Sequence, residues 1–128
     1  MSMKFKAIQK AQPGVSGGGD KKYYANPVYT GEITLDQLTE KIEKISTVSG
    51  ADIRAVLYAL VDVIPSELAN SQIVRVGDLG SFRISLSSEG KEKEEDITAN
   101  SIKSSKILFT PGAKLKTMQN NLKFEKQG

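Results

Sequence analysis

The chain has 128 residues with no Cys and no His, 38% hydrophobic residues, and 18 Lys plus Arg against 15 Asp plus Glu, a formal charge of +3. That length suits one folded unit with extensions. The missing thiols and imidazoles exclude disulfides, Cys or His metal ligands, Cys nucleophiles and every Ser-His-Asp arrangement.

The remaining Asp, Glu, Lys and Ser residues stand in no recognisable catalytic setting, so a non-enzyme without cofactor or metal is expected. No apolar run approaches the roughly 20 residues of a membrane span. The opening MSMKFKAIQK is basic without the apolar stretch of a secretory signal. A soluble, cytoplasmic protein with neither a membrane nor a small-molecule partner is the expectation.

Charge is unevenly placed. Residues 1–33 hold five Lys against Asp20 and Glu32, and residues 104–128 hold five Lys against Glu125 alone. Residues 34–86 carry five basic and seven acidic side chains, and residues 87–103 three basic and five acidic. Basic ends around a mildly acidic body point to an anionic partner met by particular elements, although ordinary solvated Lys would give the same tally.

Met3 to Gln12 alternates weakly through Phe5 and Ile8, which is compatible with a strand. Pro13 to Gly19, PGVSGGG, is a loop. Gly14 and Gly19 have the separation of a phosphate-binding loop, but Asp20 replaces the required Lys and no Ser or Thr follows Lys21 or Lys22, which rejects that motif. Lys21 to Thr30 is aromatic and β-branched and reads as an edge strand around Pro27. Tyr23, Tyr24 and Tyr29 are expected to pack on the body in preference to stacking on bases.

Two helices follow. Thr34 and Gln37 form a capping box, and Leu35, Leu38, Ile42 and Ile45 give a narrow apolar stripe ending near Thr47. Ser49 and Asp52 cap a second helix with a wider apolar face of Ile53, Val56, Leu57, Leu60, Val61, Ile64 and Leu68. That breadth implies burial on two sides, as in a dimer core. Pro65 is expected to kink this helix and Asn70 to stop it.

Ile73 to Val76, the turn Gly77 to Gly80, and the alternation of Phe82, Ile84 and Leu86 with Arg83 and Ser85 read as a β-hairpin. Residues 87–103 lose all hydrophobic density and are expected to be a long, polar, mobile excursion. Ser105 to Phe109 returns as a strand. Pro111 and Gly112 then open a short basic helix with Leu115, Met118 and Leu122 on one side.

The order of these elements resembles the HU and integration-host-factor family. VRVGDLGSF (Val74 to Phe82) is similar to the family's strand-turn-strand signature, and FTPGAKLK (Phe109 to Lys116) to the entry of its last helix. The helix pair of residues 34–69, with its Ser49-Gly50-Ala51-Asp52 junction, suits the family's opening helices. The likeness covers residues 34–122. The extension resembles that of longer HU-like proteins of Bacteroidetes, in which it adds strands to the body. The sequence departs from the family at three points: Asp78 replaces a turn Gly, the arm is acidic, without the family's Arg-rich segment or the Pro that wedges between base pairs, and the N-terminal extension is additional.

The resemblance implies an α+β fold: two N-terminal helices, an antiparallel β-sheet with a protruding β-arm at about 87–103, and a short C-terminal helix, in an intertwined homodimer. Residues 1–33 would be an N-terminal extension and residues 123–128 a tail. It further implies a histone-like, nucleoid-associated protein that binds double-stranded DNA without sequence specificity, with phosphate contacts from Gly80, Ser81, Arg83, Lys103, Lys106, Lys114 and Lys116 and donation by the Gly80-Ser81 backbone amides. Phe82 and Phe109 are expected in the core. The acidic arm supports an alternative, an HU-fold scaffold for protein–protein interaction with little DNA affinity.

Overall fold

The computed structural model describes residues 2–128, so that of the 1–33 extension only Met1 lies outside. The order is β1 (Met3–Lys10), β2 (Lys22–Val28), α1 (Leu35–Ile45), α2 (Gly50–Ala69), β3 (Val74–Val76), β4 (Gly80–Ser88), β5 (Ile102–Pro111), α3 (Ala113–Asn120) and β6 (Phe124–Lys126). The strands form two sheets, β2-β1-β6 and β3-β4-β5. The expected α+β architecture is therefore present, with helices and an antiparallel three-stranded sheet in HU-like order.

The helix boundaries follow their capping chemistry. The Thr34 side chain accepts from the Gln37 backbone N–H, and the Gln37 side chain accepts from the Thr34 N–H, which satisfies two orphan donors of α1. Ser49 Oγ accepts from the Asp52 N–H at the start of α2. Asn70 closes α2, its N–H donating to the Glu67 carbonyl and that of Ser71 to the Leu68 carbonyl, and the helix continues through Pro65. Thr39 is buried between the helices, where its hydroxyl donates to the Leu35 carbonyl at 2.8 Å. The helices approach closely at Gly50, where a Cβ would stand 2.6 Å from the Glu43 carboxylate.

The C-terminal end of α2, with Pro65, Leu68 and Ala69, lies beside Ile84, Leu86 and Ile107 of the β3-β4-β5 sheet, and only Ile53 and Leu68 are buried hydrophobics. Val61 is 67% exposed, Leu86 61% and Ile107 67%. The chain exposes 10642 Å², whereas a folded monomer of 13.9 kDa exposes about 6,700 Å². Phe82 and Phe109 pack as a tilted pair with centroids 5.0 Å apart, but Phe109 remains 42% exposed, so the expected core position holds only in part within one chain.

Four expectations need correction. The excursion at 87–103 is shorter and more structured than its composition indicates: β4 runs to Ser88, β5 begins at Ile102, and residues 89–101 fold into a tip with two 3₁₀ turns. Ser101 is buried and fastens it, its hydroxyl accepting from the Thr98 N–H at 3.0 Å and its carbonyl from the Glu89 N–H at 2.8 Å. Side-chain-to-backbone bonds thus replace the missing hydrophobic density. The tail at 123–128 contains β6, which pairs in parallel with β1 (Met3 with Phe124, Phe5 with Lys126). The extension joins β6 in a sheet of its own and adds no strand to β3-β4-β5. Tyr23 and Tyr29 are exposed and Tyr24 is half-buried, because no body element packs extensively on that sheet.

Candidate nucleic-acid interface

Strand pairing decides which side chains share a face. Ser81 stands opposite Arg75 on β3 and Thr110 on β5; Arg83 faces Leu108, and Ser85 faces Lys106. Because side chains alternate along a strand and cross-strand partners share a side, Arg75, Ser81, Arg83, Lys106 and Thr110 lie on one surface. The other surface carries Val74, Phe82, Ile84, Leu86, Ile107 and Phe109 and meets α2.

At one end of the polar surface lies an open groove of about 360 Å³ whose walls include Arg75, Ser81, Thr110, Pro111, Gly112 and Lys116. Two glycines allow its shape. Gly80 has φ 142°, and a Cβ there would overlap the Thr110 carbonyl and the Phe109 ring. A Cβ on Gly112 would overlap the Asp78 carbonyl. The Gly112 N–H donates to the Leu79 carbonyl at 3.0 Å, which fixes the chain where α3 begins. No side chain caps α3, so its first-turn N–H groups and the positive end of its dipole are left for an anion.

The structure thus brings Gly80, Ser81 and Lys116 together and extends the same surface to Arg83 and Lys106. Lys103 sits at the bulge where the register shifts between Ser87 and Ser88, outside strict alternation. Lys114 lies about 200° around the helix axis from Lys116, on the other side of α3. The Gly80 and Ser81 amides belong to the central strand, paired with β3 on one side and β5 on the other, so they point along the ladder and the Ser81 hydroxyl is the donor that the groove offers. Arg75 was not among the expected residues. Its signal was the alternation of Val74-Arg75-Val76, which turns Arg75 away from the apolar side once β3 is paired.

Sequence comparison bears on this arrangement. The profile of the HU-HIG family, described as an HU domain fused to wHTH, Ig, or Glycine-rich motif, matches residues 1–126. The chain belongs to the HU-HIG family. No curated protein matches this HU-HIG sequence. Among solved structures, a provisionally assigned bacterial DNA-binding protein from Bacteroides vulgatus ATCC 8482 shares the fold with a TM-score of 0.64 and 15% identity. The match covers 99% of the HU-HIG chain and 49% of the other, so the chain spans about half the length of that structure. Among the described residues, no helix is long and apolar enough to cross a membrane, and no group of Asp and Glu is placed to hold a metal ion.

Proposed function

We propose that this HU-HIG domain is a DNA-binding architectural protein of the nucleoid, a cytoplasmic homodimer that grips duplex phosphates without reading bases. The observation that carries this reading is the groove in which Arg75, Ser81, Thr110 and Lys116 meet the uncapped N-terminus of α3. Cationic side chains, hydroxyls and free amides over bare glycine backbone make a site for phosphate oxygens. Arg83 and Lys106 continue the contact along the strands, with Lys103 and Lys114 flanking it. The family and the DNA-binding assignment of its structural relative support the same reading.

Dimerisation is supported by surface area. The excess of roughly 4,000 Å² per chain over a compact monomer more than accommodates the roughly 1,000–2,500 Å² per partner that obligate dimers bury, with part of the remainder on the β2-β1-β6 sheet. Its apolar part includes Val56, Val61, Leu86 and Ile107, all more than half exposed in the single chain. A second copy packed there completes the core. Without a Pro wedge in the tip, DNA would be bent less sharply than by a wedge-carrying arm.

The acidic tip favours a second reading, a scaffold that uses Glu92, Glu94, Glu95 and Asp96 to meet a basic protein. Fluorescence anisotropy of labelled 30-base-pair duplexes of unrelated sequence separates the two. The DNA reading expects similar affinity for each duplex and a log-linear loss with salt. No binding at low salt would leave the scaffold.

A further inference from the structure

We infer that the β2-β1-β6 sheet carries a second surface for nucleic-acid phosphates, built from Lys4, Lys6, Lys10 and Lys22. This rests on the duplex-binding reading and extends it to a sheet remote from the groove in sequence. In the β1–β2 register Lys4 stands opposite Val28, Lys6 opposite Asn26, Ile8 opposite Tyr24 and Lys10 opposite Lys22. Alternation therefore gathers all four lysines on one side, interleaved with Ile8, Tyr24, Asn26 and Val28. The other side is mainly apolar, with Met3, Phe5, Ala7, Ala25, Pro27 and Phe124, but also holds Gln9, Tyr23 and Lys126.

Among the described residues these charges have no ion-pair partner. Neither ion pair found among the described residues, Arg54 with Asp36 or Lys91 with Glu89, includes any of the four lysines. The one acid on their side, Glu125 opposite Lys4, accepts a hydrogen bond from the Ser2 hydroxyl at 2.9 Å. Lys10 and Lys22 form a directly opposed like-charge pair, which weakens a ladder. Lys10 is also drawn over the Tyr24 ring, 5.0 Å from its centroid, which orients the ammonium. A sheet that served only to tie the chain ends together would gain nothing from this arrangement. Along β1, Lys4 and Lys6 stand about 7 Å apart and Lys10 about 14 Å beyond Lys6, with Ile8 between them. Lys6, Lys10 and Lys22 are exposed and Lys4 is half-buried, a set of point charges suited to a phosphate backbone.

The test is the salt dependence of binding to a 30-base-pair duplex by the full chain. The variant Lys4→Gln/Lys6→Gln/Lys10→Gln/Lys22→Gln is expected to reduce the magnitude of the slope of log K against log salt by about 3.6 for each engaged chain. The corresponding four-fold Lys→Arg variant should retain it. If the Gln variant does not fold, the pairs Lys4→Gln/Lys6→Gln and Lys10→Gln/Lys22→Gln should each remove about 2. Unchanged slope and affinity in folded Gln variants would overturn the second surface and leave the duplex reading standing. Absence of binding by the unaltered chain would overturn both. Salt-sensitive self-association without DNA, lost in the Gln variant while its DNA slope is unchanged, would assign the lysines to the acidic tip of another copy and overturn the inference.

Discussion

The ring of Phe109 covers Gly80: a Cβ on that glycine would stand 2.8 Å from both Cε1 and Cζ of the ring. The contact links the start of β4 to the end of β5, beside the entry to α3, and so holds the groove that collects Arg75, Ser81 and Lys116. Gly80 also has φ 142° and ψ −164°, a conformation open essentially to glycine alone. Gly80→Ala is expected to cost about 3 kcal/mol from backbone strain and overlap together. Urea unfolding would read this as a lower midpoint, and an unchanged midpoint would mean that the contact is not maintained.

The tip depends on one buried hydroxyl. Removing the Ser101 Oγ leaves the Thr98 N–H without its acceptor, at a cost of about 1–2 kcal/mol. Ser101→Ala should speed amide exchange across residues 89–101 while α2 and β4 keep their protection. Equal exchange in both proteins would contradict the role given to Ser101.

A second copy is needed to cover the apolar surface. Light scattering should give a mass near 27.8 kDa, twice the 13.9 kDa of the chain, and the unfolding midpoint should rise with protein concentration. Val61→Lys, almost harmless at a position 67% exposed in one chain, should break the dimer and destabilise the fold. A monomer of unaltered stability would refute this packing.

The legible parts of the fold are those with local chemistry. Thr34, Gln37, Ser49 and Asn70 mark helix ends through hydrogen bonds made within a few residues, so their positions could be read before any tertiary contact was known. The C-terminal strand was not legible, because Phe124 to Lys126 is too short to show alternation and its partner lies at the opposite end of the chain. The order of the tip is not legible in the sequence, because Ser101 acts through local hydrogen bonds to the Thr98 and Glu89 N–H groups, which leave no hydrophobic period. Within the groove, Gly80, Ser81 and Lys116 could be placed from two short motifs, whereas Arg75 needed the register of β3 on β4. Lys114, two residues before Lys116, lies on the other side of α3, so the motif places both lysines on the helix but only Lys116 at the groove.

The central claim is that the Arg75-Ser81-Lys116 groove holds DNA phosphates. Its most direct test compares the salt dependence of duplex binding by the unaltered chain and by Arg75→Gln/Lys116→Gln. The account expects weaker binding to every duplex by a similar factor, and a slope of log K against log salt lower by about 2 for each engaged chain. Equal affinity and equal slope for the two proteins would contradict it.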